Sequence, residues 1–72
     1  MNVYVITFNT RDYPDKAVLR RHRVTPAGML ADFQPLAVAA SVEKVREFLP
    51  PDRGRKRALS PEDDPVIVEW YA

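Results

Sequence analysis

Apolar residues gather in four main clusters along the chain, and their spacing differs from one cluster to the next. Residues 3–8, VYVITF, are β-branched or aromatic throughout, which favours a strand. Tyr4, Ile6 and Phe8 fall on one face and Val3, Val5 and Thr7 on the other. A strand apolar on both faces belongs inside its sheet. Residues 9–16, NTRDYPDK, carry Asn9, Asp12, Pro14 and Asp15, all turn formers, so the next strand follows as a hairpin. Residues 17–25, AVLRRHRVT, predict that strand, with Val18, Arg20, His22 and Val24 on one face and Leu19, Arg21 and Arg23 on the other. Its arginines predict an edge position, where charge discourages edge-to-edge pairing. Residues 26–28, PAG, mark a turn. Residues 29–33 either pair back as a weak third strand or lie as a loop, and Pro35 interrupts any continuous strand.

The clearest local logic lies in residues 36–51, LAVAASVEKVREFLPP. Residues 36–39 predict a short buried strand. Ser41 can cap a helix by accepting a bond from an otherwise orphaned backbone N–H. Glu43 suits the first turn of the helix dipole. Val42, Val45, Phe48 and Leu49 then share one face, with Glu43, Lys44, Arg46 and Glu47 opposite. Pro50 and Pro51 stop the helix. A rival start at Pro35 would place Val38, Val42, Val45 and Leu49 in one stripe, but it leaves Ser41 unexplained inside the helix. Either way the helix is too short to stand alone and must dock on a sheet.

Residues 52–64, DRGRKRALSPEDD, read as a long surface loop with a basic and an acidic half, and Ser60 to Asp63 have the spacing of one capped turn. Residues 66–71, VIVEWY, predict the last strand, with Val66, Val68 and Trp70 on one face and Ile67, Glu69 and Tyr71 on the other. The two terminal strands can pair and close the domain. The pattern therefore predicts a single α+β domain over residues 1–72. Its sheet has three or four antiparallel or mixed strands, with one short helix packed on one face. The expected core is Tyr4, Ile6, Phe8, Leu36, Val38, Val42, Val45, Phe48, Leu49, Val66, Val68 and Trp70. One helix covers only one face, so the other would expose some of Val3, Val5, Ile67 and Tyr71 unless the long loop or arginine stems shield it.

The run PLAVAASVEKVREFLPP, then a polar loop and DDPVIVEWY, resembles small bacterial proteins of the conserved hypothetical kind. The resemblance covers roughly the C-terminal half and implies a bacterial origin. It carries no activity and no functional residue.

Composition narrows the function. A chain of 72 residues without cysteine has no disulfide or thiolate–metal staple, so self-association is a natural source of extra stability. No run approaches the ~20 apolar residues of a membrane span, and residues 1–11 lack a signal pattern. The expectation is a cytoplasmic protein without a membrane partner. Eleven basic and ten acidic residues leave a net charge of +1, which does not argue for a strong polyanion partner. His22 is the single histidine, Ser41 and Ser60 are the only serines and both suit caps, and the only glycines are Gly28 and Gly54. No catalytic residue, metal site, cofactor or phosphate-cradling loop is indicated. The acidic run Glu62, Asp63 and Asp64 lacks the spacing of a calcium loop.

Two basic groups remain: Arg20, Arg21 and Arg23, with Lys16, on the second strand, and Arg53, Arg55, Lys56 and Arg57 in the loop. If they converge, they form a surface that could contact phosphates or a protein partner. The leading expectation is a non-enzymatic protein-interaction module, homodimeric through its sheet or bound to another protein. The alternative is a nucleic-acid accessory protein using the two arginine groups.

Overall fold

The structure, a computed structural model, describes residues 2–31 and 34–72. The chain runs β1 (Asn2–Phe8), β2 (Ala17–Thr25), β3 (Gly28–Ala31), β4 (Ala37–Ala39), α1 (Val42–Arg46) and β5 (Ile67–Tyr71). It is α+β: one open antiparallel sheet carries one short helix. The order is β3-β2-β1-β5, with β4 also pairing to β2. The terminal strands β1 and β5 pair antiparallel, and β1 lies inside the sheet.

The turns follow the sequence chemistry. Asn9 and Asp15 adopt the left-handed conformation that Asn and Asp tolerate, and the Asn9 side chain accepts from the Asp15 N–H at 2.9 Å. Residue Gly28 has φ +132°, a value open to glycine, at the turn into β3. The weak third strand forms over Gly28–Ala31; residues 32 and 33 of the expected segment lie outside the described residues.

Strand β2 is not at the edge. Strand β4 pairs with residues 17–19 and β3 with residues 22–25, so two short strands share its outer side. Both form, which brings the sheet to five strands. The arginines alternate about the strand axis, and that property says nothing about which neighbours the backbone finds.

Ser41 is the N-cap: its hydroxyl accepts from the Lys44 N–H at 3.2 Å, and the helix starts after it rather than at Pro35. Regular helix ends at Arg46. The N–H groups of Glu47, Phe48 and Leu49 donate to Lys44, Val45 and Arg46, three residues back, so the chain tightens before the two prolines. Tyr4, Ile6, Ala17, Leu19, Val45 and Tyr71 form the core, and Ala37, Ala39, Val42, Leu49 and Val68 pack against it. Leu49 is the last helix-side residue to reach that core. Phe48 lies outside at 59% exposure, contrary to the helical-face pattern. Phe8, Leu36 and Val38 are exposed as well, because they stand at strand ends or on the short outer strand.

The pairing of β1 with β5 shifts register: Ile6 opposes Glu69, but Thr7 opposes Ile67, leaving Val68 as an extra residue. Such a bulge overrides strict alternation. Val68, Glu69 and Tyr71 fall on the helix-covered face, while Ile67 and Trp70 share the other. Val66 and Trp70 thus leave the expected core and join the uncovered side.

Ile6→Ala is expected to cost about 2–5 kcal/mol by opening a cavity in a fully buried site. Phe48→Ala should change stability by no more than about 0.5 kcal/mol, as for other surface changes. Denaturant unfolding of the two variants decides it; equal losses would show that Phe48 packs in the core after all.

Candidate functional site

The uncovered face is a groove rather than a bare apolar sheet. Its floor is Val3, Val5 and Thr7 of β1, with Ile67 and Trp70 of β5 opposite them. One wall is the β1–β2 loop, through Thr10, Asp12 and Tyr13. The turn before β5 supplies Asp63, Asp64 and Val66. Arg20, His22 and Met29 line the side of β2 and β3. The main cavity measures about 810 Å³ and a smaller lobe of about 250 Å³ continues it; both are lined by Val5, His22 and Ile67. These walls explain why Val3 and Val5 are only 4% and 7% exposed, although no helix covers them. Tyr71 is buried on the other face, so of the expected patch only Ile67 keeps partial exposure, and Met29 adds exposed apolar area beside it.

Local chemistry sets the walls in place. Asp64 accepts from the Val66 N–H at 3.1 Å, and Asp63 from the Ser60 N–H at 2.8 Å, so the expected capped turn forms and aims both residues at the sheet. The Arg20 guanidinium stands over the Tyr13 ring, 6.0 Å from its centroid, a cation–π distance. Thr7 Oγ1 is buried and has no hydrogen-bond partner among the described residues. A buried hydroxyl left in that state costs free energy that a bound donor or acceptor would recover. Among the described residues the rim carries the carboxylates Asp12, Asp63 and Asp64 and the Arg20 guanidinium. Among the described residues no group of three or more His, Asp or Glu side chains is placed to hold a metal ion.

The helix-covered face holds a second polar cluster. Glu69 is 4% exposed. The Arg46 guanidinium donates to both of its oxygens, from Nε at 2.8 and 2.9 Å, and the Tyr71 hydroxyl donates at 2.8 Å. Lys56 Nζ stands 3.4 Å away. The Arg46 hydrogen bonds, opposed by burial and helped by Tyr71, lower the Glu69 carboxyl from 4.5 to about 2. Burial, then the bond to Glu69, raises the Tyr71 hydroxyl; burial, then the bond to Asp52, raises that of Tyr4.

The basic residues do not gather on one surface. Alternation sends Arg20 into the groove and Arg21 and Arg23 to the helix side, where they oppose Tyr4 and Asn2. In the loop, Lys56 turns to Glu69, and Arg55 and Arg57 run along the outer side of β5 through backbone bonds to Ala72 and Trp70. Arg53 bears electrostatically on Tyr71 and Arg21 on Tyr4, and those tyrosines are register partners. The sequence pattern missed Asp12, Asp63, Asp64, Thr7 and Tyr13 as groove residues, because only the fold brings their three segments together.

No protein-family model, curated protein or solved structure matches the chain. Among the described residues no helix is long and apolar enough to cross a membrane.

The Glu69 carboxyl has its folded value depressed, so its stabilising contribution is complete above pH ~4.5 and is lost as pH falls towards 2. The stability gap between the wild type and Glu69→Gln is expected to be widest at neutral pH and to narrow across that window. Urea midpoints measured from pH 7 to 2 would contradict the network if the gap stayed constant.

Proposed function

We propose that the chain is a non-enzymatic protein-interaction module that self-associates through the uncovered face of its sheet. The observation that carries this reading is the groove itself: an apolar floor with carboxylates and a guanidinium on one rim. Mixed charge on a single surface suits a two-fold pairing, in which the same patch is used by both copies. Met29, 57% exposed beside the groove, offers further apolar area to a partner. A chain of this size without disulfides also gains stability by mass action when it associates. Sedimentation equilibrium is expected to show a mass that rises with concentration in the wild type and stays monomeric in Met29→Asp. A wild type that remains monomeric at about 500 µM, where even a millimolar interaction would show, removes self-association.

A nucleic-acid accessory role is the second reading, supported by Arg21 bearing electrostatically on Tyr4 and Arg53 on its register partner Tyr71. It competes poorly because Arg46 and Lys56 are already committed to Glu69 and Arg20 belongs to the opposite face. Phosphate-led binding of a single strand requires log K to fall with log salt by about 0.7 per phosphate contacted. Anisotropy titrations of a labelled oligonucleotide at several salt concentrations check this, and affinity without that slope would contradict it.

A further inference from the structure

We infer that the segment docking into the groove is the basic–apolar run around residues 55–59 of a second copy, delivering Arg55 and Leu59. This rests on the reading of the uncovered face as the association surface and names what fills it. Residues 55–57 lie antiparallel beside β5: Arg55 and Ala72 exchange backbone bonds, and the Arg57 N–H donates to the Trp70 carbonyl. An extended segment alternates its side chains. Lys56 turns to Glu69 on the helix-covered face. Arg55 and Arg57 therefore belong to the side of the groove. Leu59, two residues on, is 48% exposed, an apolar side chain with no core to enter. The Trp70 indole N–H donates to the Ala58 carbonyl at 3.2 Å, which fixes this lip against the groove's own floor.

The two charged regions stand at opposite ends of the strands. Asp12 and Asp64 lie where β1 finishes, since the Phe8 N–H donates to the carbonyl of Val66. The basic lip lies where β5 finishes, beside Trp70 and Ala72. A two-fold axis running across the strands places the acidic end of one copy over the basic lip of the other, and does so twice in one dimer. Leu59 then meets the apolar floor, and the Arg55 guanidinium meets Asp12 and Asp64 at the acidic end, while the Arg57 Nε stays bonded to the Ala72 carbonyl of its own copy at 3.0 Å. Charge complementarity of this kind sets register and partner choice.

The dimerisation constant of the full chain, measured by sedimentation, tests the assignment. Asp12→Lys, Arg55→Glu and Leu59→Ser should each weaken association by about tenfold or more, and the double variant Asp12→Lys/Arg55→Glu should recover most of the loss. Trp70 is the only tryptophan and lines the groove, so its emission should lose acrylamide quenching as the wild type associates and keep it in Leu59→Ser. A wild-type dimer whose constant is unchanged by all three single substitutions overturns the docking segment while leaving self-association in place. A wild type that never associates overturns both.

Discussion

One buried carboxylate holds three separate parts of this chain together. Glu69 belongs to β5, Arg46 to the helix and Lys56 to the long loop, and all three meet under the sheet's covered face. Burying a charge is costly, and the cost is recovered only when its lone pairs are satisfied. Here a forked guanidinium and a tyrosine hydroxyl do that. The helix needs this tie. Five residues cannot hold helical geometry in water, and Val45 is the only one of them fully buried. The loop needs it as well. Its close approach to the C-terminus is possible because position 54 is glycine: a Cβ there would fall 1.9 Å from the carbonyl carbon of Ala72.

The same arrangement determines what the other face has left to work with. Arg46 and Lys56 are drawn to the covered side, and Tyr4 and Tyr71 use their hydroxyls on Asp52 and Glu69. Among the described residues, the groove lining keeps valines, Trp70, three carboxylates and Arg20, with the lip of Arg55 and Arg57 beside it. That inventory has recognition chemistry of an ordinary protein surface, with depth supplied by the loops. Because β1 is shared by both faces, its Val–Tyr–Val–Ile alternation is packed from either side, and this is the reason it forms the centre of the molecule.

Much of the fold was legible because it depends on local periodicity. The strands over residues 3–8 and 17–25, the cap at Ser41, the turn residues Asn9 and Asp15 and the proline stop are properties of neighbours in sequence. The failures concern pairing. No alternation pattern reveals that Val68 is an extra residue, so the pattern places Trp70 in the core and Glu69 and Tyr71 opposite it, whereas Ile67 and Val68 fall on the faces expected. Phe48 satisfied the helical stripe, yet regular helix ends at Arg46 and the tighter turn that follows leaves Phe48 exposed while Leu49 reaches the core. The groove was hidden because its carboxylates come from loops whose only sequence signature is turn chemistry. One signal was available: Glu69, alone among apolar residues and two places before Tyr71, was a candidate for an internal ion pair rather than a solvent-facing charge.

The treatment of the two sheet borders has a bearing on how this protein behaves when crowded. Beside β5 the backbone groups are taken by residues 55–57, in a segment dense with positive charge. Beside β2 only the short strands β3 and β4 are present, and Gly28–Ala31 contains no charged residue. Fibre growth by strand addition requires a template at both sides of every subunit. With the end of β5 already paired by a charged segment, strand addition is discouraged there, and the border carrying the uncharged β3 is the more open of the two.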